Sequence, residues 1–472
     1  MRILFTVFPS YVHLYPLAPV AWALQSVGHE VRVASSGNFA RAISSVGLTP
    51  LSLGDPDAVE ARLRPGAKQP PNPQEVLAYA DLMGLDSAER ENWIVFYQWL
   101  LNPVSDYVRV DQPEAAHLVR FAQRWQPDLV LWDPIFPAGA VAARACGAAH
   151  GRFLGAALDY FMYSTERLEA ARDKVRSAGL SDNPLADLIR PLADHHDVDV
   201  DDELLRGQWT VDPMPEGVSL STGGHKVPVR WVPYVGGEPC QEWVLDGPTS
   251  RPRVVLSLGE SARRYVAGDW GRTPKLLDAL AGMDVDVIAT LNERQLQGIS
   301  TVPDNVRVIE WVPLTQLMPT SSLLIHHGGT GTTMSALANR VPQLVCDTDE
   351  SFLMGPADVV PRLGDAGVYR AGREFGVTDD DADGDAEQEG WVIPGRHLMA
   401  PPWSGVMTQY GAGVRLNHQV MSGTEIRDRI THVLSEPSFA AGARELYEAW
   451  IARPSPSDIV STLESLTAEH RR

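Results

Sequence analysis

Short apolar runs alternate with longer helix-like segments along the first half of the chain. The run RILFTVF at residues 2–8 predicts a buried strand, and LYPLAPVAWALQSVG, which follows it, predicts an apolar-periodic helix that ends at Gly28. HEVRVAS then predicts a second strand, and PDLVLWDP predicts a further strand that ends at Asp133. A β-α-β opening is the unit of a parallel, doubly wound sheet.

The same pattern begins again near the middle of the chain. Residues 233–253 are rich in Pro and Gly and predict a connection between domains. The segments VVLSLGE, VDVIAT, VRVIEW and SLLIHH beyond it predict new strands. We therefore predict an α/β protein of two doubly wound, Rossmann-like domains that face each other across a cleft, with ligands outside the carboxyl ends of the strands.

Length supports the same division, because 472 residues with 44% hydrophobic content are long for a single core. The predicted parts are an N-terminal domain at 1–235, a linker at 236–252, a C-terminal domain at 253–450 and a helical tail at 451–472 that packs back toward the N-terminal domain.

Charge and cysteine content exclude several classes of partner and location. The net charge of −20 disfavours nucleic acid and anionic membranes, which attract basic surfaces. Cys146, Cys240 and Cys346 lie far apart and form no CxxC pair, which indicates a reducing compartment. The chain starts without a signal-peptide pattern and has no run of 18 apolar residues, so we expect a cytoplasmic protein.

The stretch SSLLIHHGGTGTTMSAL at residues 321–337 runs from a predicted strand into glycines and threonines. In a parallel sheet, the loop after such a strand faces the ligand crevice, and the next helix presents unpaired N–H groups there. Glycines allow close backbone approach, threonines add hydroxyl donors, and His326 or His327 can add a directed donor. The stretch lacks the lysine of a Walker loop. It therefore predicts a cradle for a diphosphate.

A second candidate lies in FPSYVHLYPLAPVAWAL, where His13 occupies the first strand-to-helix turn. A histidine near its unperturbed pKa can take a proton from a hydroxyl group at neutral pH. Asp133 is the natural partner for its other nitrogen, since parallel strands deliver their carboxyl ends to one edge of the sheet. The alternative is that His13 only caps or packs the turn.

These stretches together resemble the GT-B glycosyltransferases, and within them the antibiotic family that moves deoxysugars from nucleotide diphosphates onto polyketide aglycones. The similar segments cover most of the chain and include HLYPLAPVAWALQSVGHEVRVAS, QPDLVLWDPIFPAGAVAARACGAAHGR, GQWTVDPMPEG and VPDNVRVIEWVPLTQLMPTSSLLIHHGGTGTT. The resemblance implies an acceptor site in the first domain and a dTDP-deoxysugar site in the second. It also implies a hexosyltransferase-type reaction with inversion at the anomeric carbon, without a metal or other cofactor.

The resemblance assigns roles to individual residues. His13 resembles the general base and Asp133 its partner, while Trp311 and Val312 occupy the segment that meets the nucleobase. The residues assigned to the diphosphate are His326, Gly328, Gly329, Thr330, Gly331 and Thr332, with Gly259 and Ser261 of the LGES turn close by.

One segment departs from the family pattern. The family continues P-x-x-W-D-Q/T soon after VPQLV, whereas here VPQLVCDTDESFLMGPAD intervenes and the matching tryptophan, Trp403, comes only after an acidic stretch. Asp347 and Asp349 are the candidates for the sugar contact. Their DTD sequence also matches a metal-binding motif of another glycosyltransferase fold, but such matches are common in a chain with 60 acidic residues, and we expect no metal.

Several relatives on macrolide and anthracycline pathways work with an auxiliary protein related to haem monooxygenases, and GQWTVDP resembles that subgroup. We therefore expect an aglycone, a nucleotide sugar and such a protein as partners, and the sequence leaves a homodimer open.

Two alternative functions are a GT-B nucleotide-sugar epimerase and a non-catalytic scaffold that binds nucleotide sugars. The pair of His13 and Asp133 favours the transferase. The sequence names neither the aglycone nor the sugar.

Overall fold

The computed structural model divides the chain into two compact units. The first comprises the described residues of 1–237 and 453–471, and the second those of 238–452. The described residues are 1–54, 73–86, 89–90, 93, 96–97, 101, 104, 107–110, 112–155, 158–237, 239–245, 250–259, 272–293, 295–296, 299–348, 352–354, 393–395 and 399–471.

The first unit contains a seven-stranded sheet in the order β3-β2-β1-β4-β5-β6-β7, and every neighbouring pair is parallel. Its strands are β1 (Arg2–Thr6), β2 (Glu30–Ser36), β3 (Thr49–Leu53), β4 (Leu129–Trp132), β5 (Ala149–Phe153), β6 (Trp209–Asp212) and β7 (Lys226–Pro228). Its helices before the linker are α1 (Tyr11–Ser26), α2 (Ala40–Ser45), α3 (Pro73–Met83), α4 (Pro113–Trp125), α5 (Ala138–Arg144), α6 (Tyr160–Ala170), α7 (Arg172–Ser177), α8 (Pro184–His195) and α9 (Asp202–Arg206).

Both faces of this sheet are buried, as the apolar strands require. Ile3 and Phe5 of β1 pack with Leu17 of α1 in one apolar cluster. Leu4 lies between them in sequence, is also fully buried, and belongs to the opposite face because side chains alternate along a strand. A sheet filled on both sides in this way leaves its carboxyl edge as the place where polar side chains collect.

The second unit contains a six-stranded parallel sheet in the order β10-β9-β8-β11-β12-β15. Its strands are β8 (Arg253–Ser257), β9 (Asp286–Thr290), β10 (Val306–Ile309), β11 (Leu323–His326), β12 (Gln343–Cys346) and β15 (Gly413–Leu416), with an antiparallel pair of β13 (Phe352–Met354) and β14 (Ile393–Gly395). Its helices are α10 (Glu242–Leu245), α11 (Arg272–Leu280), α12 (Leu314–Leu317), α13 (Thr330–Leu337), α14 (Ala400–Gln409), α15 (Gly423–Ser435) and α16 (Pro437–Ile451).

The final helix, α17 (Val460–His470), belongs to the first unit. Val460 and Leu463 lie in the same apolar cluster as α1, and the carbonyl of Pro454 accepts a hydrogen bond of 2.7 Å from the Arg230 N–H. The predicted fold class, an α/β protein with two doubly wound parallel sheets, is confirmed. None of the helices in the described part of the chain is long and apolar enough to cross a membrane.

Candidate functional site

His13 lies inside α1 rather than in the turn before it, where the sequence placed it. The helix begins at Tyr11, after Ser10 in an extended conformation at the N-cap, and the His13 N–H donates to the Ser10 carbonyl at 3.1 Å. His13 is therefore in the first turn of the helix. Its ring remains at the carboxyl edge of the sheet because β1 ends at Thr6, only a short turn away.

Asp133 directly follows β4, the neighbour of β1 in the sheet, and the structure brings its carboxylate against the His13 ring. Oδ2 lies 2.6 Å from His13 Nδ1 and also accepts the Phe8 N–H at 3.1 Å. Oδ1 accepts the Ile135 N–H at 3.0 Å. A carboxylate can only accept, so His13 carries its proton on Nδ1 and presents the Nε2 lone pair as a base.

The surroundings of the pair leave some access to the imidazole. The His13 side chain is 14% exposed, whereas Asp133 is only 6% exposed. The ring of Phe8 packs against the imidazole with centroids 5.2 Å apart. Phe8 thus contacts both members of the pair, through its backbone and through its ring. The contact of Phe8 with this pair was not predicted from the sequence, because a single aromatic residue after a strand carries no distinguishing pattern.

The predicted cradle lies at the end of β11 in the second unit. His326 is fully buried, and its Nδ1 accepts the Gly328 N–H at 3.1 Å. Gly328 has φ +87°, and a Cβ there would lie 2.5 Å from the Ala400 Cα. Glycine is therefore required at this position by both conformation and space.

The next helix, α13, starts at Thr330, so its first turn directs N–H groups without intrahelical acceptors and a positive dipole end toward the turn. Gly331 and Thr332 lie in that turn. A Cβ at Gly331 would meet no atom of the described residues within 4 Å. The arrangement has the chemistry of an anion site.

Trp403 of α14 reaches the cradle across a long stretch of sequence. The indole is fully buried, and its Nε1 donates to Thr330 Oγ1 at 3.4 Å. Trp403, the tryptophan that the sequence matches to the family pattern, thus lies beside the predicted cradle. The residue after it is Ser404, so the acidic residue of the pattern is absent there.

Asp347, one candidate for the sugar contact, is buried and forms an ion pair with an arginine side chain. Its Oδ2 accepts from Arg415 Nε at 3.0 Å, and Arg415 lies on β15, the strand beside β12. This partner could not be predicted from the sequence, because the two residues meet only through the order of the strands. The other candidate, Asp349, lies outside the described residues.

The remaining predicted contacts differ in accessibility. Trp311 is 45% exposed, so its indole is accessible to a ligand. Val312 is buried in an apolar cluster, so only its backbone is available to a ligand. Gly259 follows β8 with φ +87°, whereas Ser261 of the same turn lies outside the described residues. Within the described ranges, no group of three His, Cys, Asp or Glu side chains could hold a metal ion.

Comparisons with known proteins identify the family. The model of the N-terminal domain of erythromycin biosynthesis protein CIII-like proteins matches residues 22–259, and the model of their C-terminal domain matches residues 274–374. The aclacinomycin-T 2-deoxy-L-fucose transferase of Streptomyces galilaeus is 34% identical over 487 residues, which cover 100% of this chain and 97% of that protein. The 10-deoxymethynolide desosaminyltransferase of Streptomyces venezuelae is 34% identical over 477 residues, which cover 100% and 98%.

A solved structure agrees with these relatives. Glycosyltransferase VinC in complex with dTDP superposes with a TM-score of 0.72 and 27% identity, and the match covers 99% of this chain and 100% of that one. The resemblance deduced from the sequence is therefore confirmed. The chain belongs to the erythromycin biosynthesis protein CIII-like family, and it is a glycosyltransferase with the GT-B fold.

Proposed function

We propose that this enzyme transfers a deoxysugar from a dTDP-sugar to a polyketide-type aglycone in antibiotic biosynthesis, with inversion and without a metal. Full-length similarity to a 2-deoxy-L-fucose transferase and a desosaminyltransferase supports the sugar class, and the dTDP complex of VinC supports the nucleotide. The hydrogen-bonded pair of His13 and Asp133 carries the proposal, because such a pair suits a transferase that must deprotonate a hydroxyl group.

His13 serves the acceptor half of the proposed reaction. Its Nε2 takes the proton from the acceptor hydroxyl as the oxygen forms a bond to the anomeric carbon of the sugar. Asp133 holds the ring by Nδ1 and stabilises the imidazolium that forms. Attack from the face opposite the leaving group inverts the anomeric configuration.

The cradle of the second unit serves the donor half. As the bond between the anomeric carbon and the diphosphate oxygen breaks, negative charge develops on dTDP. The first turn of α13 at Thr330, Gly331 and Thr332 would stabilise this charge, together with Gly328, Gly329 and His326. Backbone N–H groups and a histidine thus supply the stabilisation that a metal supplies in other transferases, and Gly259 and Ser261 complete the proposed site.

The contacts at the two ends of the donor are further parts of the proposal. The exposed indole of Trp311 stacks on the nucleobase, with Val312 contributing its backbone. Asp347 and Asp349 remain the proposed sugar contacts, and Arg415 would hold the Asp347 carboxylate in place. An auxiliary protein related to haem monooxygenases is proposed on the sequence resemblance alone, and a homodimer is left open.

Transfer assays test the proposal directly. We expect a glycoside when the enzyme is incubated with a dTDP-deoxysugar and a panel of polyketide aglycones, with candidate auxiliary proteins present, and we expect EDTA to leave the rate unchanged. NMR coupling of the anomeric proton should show the configuration opposite to that of the donor. Retained configuration would contradict the single-displacement mechanism, and a rate abolished by EDTA would contradict metal independence.

A further inference from the structure

A fully buried ion pair of the first unit has no part in the proposed reaction. Arg152 of β5 and Asp159, which precedes α6, have side chains that are only 2% and 1% exposed, and Arg152 Nη1 lies 2.6 Å from Asp159 Oδ1. Two ions removed from water lose much hydration free energy, and an apolar pair of similar volume often stabilises a fold as well or better. Stability alone therefore does not explain the pair.

The pair is fixed in position by its neighbours. Arg152 Nε donates to the Arg206 carbonyl and Nη2 donates to Thr210 Oγ1, both at 2.7 Å. Asp159 is the N-cap residue of α6, and its Oδ1 also accepts the Met162 N–H at 3.3 Å. One end of the pair thus belongs to the sheet, and the other end belongs to the start of a helix.

The pair closes the loop that runs from β5 to α6. The loop consists of residues 153–158, which lie between Arg152 and Asp159 in the sequence. At its start, the Leu154 N–H donates to the Val211 carbonyl of β6 at 3.0 Å. Because buried polar contacts hold both ends of this loop, its middle has little freedom to move.

The middle of the loop lies against His13. A Cβ at Gly155 would be 3.4 Å from both the Cα and the carbonyl oxygen of His13, and 3.8 Å from its Nδ1. The loop is therefore directly beside the first turn of α1, with room for little more than a methyl group between them. Asp133 holds the imidazole by Nδ1 and Phe8 packs on its ring, whereas Gly155 limits where the turn that carries the ring can lie.

We propose that Arg152 and Asp159 are positioning residues for His13. Their ion pair fixes the β5–α6 loop, and the loop holds the first turn of α1 where His13 Nε2 meets the acceptor hydroxyl group. This inference rests on the proposed role of His13 as the base. A displacement of about 1 Å in a reacting group can cost about 100-fold in rate, so fixed support is valuable here. Charge-assisted hydrogen bonds give such support because they are directional, unlike apolar contacts.

Asp159→Asn removes the ion pair with the least other change. The amide oxygen can still accept the Met162 N–H, and the NH2 group can donate to Thr222 Oγ1, which lies 3.4 Å from Asp159 Oδ2. We expect kcat for transfer to fall by about 10-fold, because the loop loses the contact that closes it. The dTDP dissociation constant should stay at the wild-type value, since the proposed donor site lies in the other unit.

A double-mutant cycle with His13→Ala separates positioning from a merely structural role. If the pair acts through His13, Asp159→Asn should lower the residual rate of His13→Ala by less than about 2-fold, because there is no base left to misplace. A pair that only stabilises the fold would lower the rate by the same factor in both backgrounds. Thermal unfolding of the four proteins sets an assay temperature at which all of them are folded.

Asp201→Asn is the matched control. Asp201 also pairs with an arginine, since Arg144 Nη2 lies 2.9 Å from its Oδ2, and it also caps a helix, since its Oδ1 accepts the Leu204 N–H at 2.8 Å. This pair joins α5 to α9 rather than the two ends of the β5–α6 loop. Its loss should therefore leave kcat and the dTDP dissociation constant at wild-type values.

Two further variants test the proposal if Asp159→Asn fails to fold. Arg152→Lys keeps the charge but replaces the planar fork by an ammonium group that cannot make all three contacts at once, so kcat should again fall by about 10-fold. Gly155→Val leaves the ion pair intact and adds two methyl groups beyond the Cβ beside His13. It should lower kcat without changing the dTDP dissociation constant, because overpacking shifts the turn that carries the base.

Two results would overturn the positioning role. Asp159→Asn could retain the wild-type kcat, or it could lower the rate by the same factor with and without His13. Full activity of His13→Ala would instead show that the proposed base is wrong. The two failures are distinguishable, because the first leaves His13→Ala impaired and the second does not.

Discussion

Replacing His13 by alanine is expected to lower kcat by about 100-fold or more, the usual scale for a positioned general base. The structure gives the reason, since His13 Nδ1 is 2.6 Å from Asp133 Oδ2 and Nε2 is left to accept the proton of the acceptor hydroxyl. The proposed donor site lies in the other unit of the chain, so dTDP affinity should stay near the wild-type value. Steady-state transfer rates and calorimetric titration with dTDP measure the two quantities.

His225→Ala is the matched control for this substitution. His225 is an exposed histidine of the same unit, so its replacement should change neither kcat nor dTDP affinity. Full activity of His13→Ala with a hydroxyl acceptor would show that His13 is not the base. The alternative that His13 merely packs the helix start would then be preferred.

Asp133→Asn is expected to lower kcat by about 100-fold or more while the protein still folds. An amide in place of the carboxylate can donate to Nδ1 of His13, which favours the tautomer with its proton on Nε2, and that tautomer cannot act as the base. Three donors surround the carboxylate, the N–H groups of Phe8 and Ile135 and the Nδ1–H of His13. An amide offers one oxygen and one NH2 group. Whichever way it turns, an NH2 group faces a backbone N–H, and the imidazolium loses its compensating charge.

Transfer kinetics measure this effect, with the dTDP dissociation constant as an internal check that the donor site is intact. Asp173→Asn is the control, because Asp173 is exposed in the same unit and distant in sequence from both strands. A kcat for Asp133→Asn within about 2-fold of the wild type would contradict the assigned role, since removing an orienting carboxylate costs far more.

The sequence was sufficient to predict the fold and the contact between His13 and Asp133. Apolar strands separated by helices specify a parallel sheet, and a parallel sheet brings all its carboxyl ends to one edge. His13 and Asp133 could therefore be placed together although 120 residues separate them. The start of α1 was misplaced by less than one turn, because the helix begins at Tyr11, after Ser10 at the N-cap and ahead of the apolar residues that defined the prediction.

Other contacts depend on tertiary structure that no local pattern reveals. Trp403 bonds to Thr330 across 73 residues, and Asp347 meets Arg415 across 68. Both contacts follow from the return of the chain after residue 398 to a strand beside β12. The separate environments of His326 and His327 could not be predicted either. Adjacent histidines in a sequence do not show which ring packs against Gly259 and Gly329, and in the structure it is the ring of His327.

We propose that the turn from His326 to Thr332 holds the diphosphate of a thymidine nucleotide without a metal. Calorimetric titration of wild-type enzyme and His326→Ala with dTDP and UDP, in EDTA and in magnesium, tests it most directly, with the exposed His432→Ala of the same unit as control. We predict metal-independent dTDP binding that His326→Ala weakens by about 10-fold or more and His432→Ala leaves unchanged. No binding of either nucleotide to the wild type, or full affinity in His326→Ala, would contradict the account.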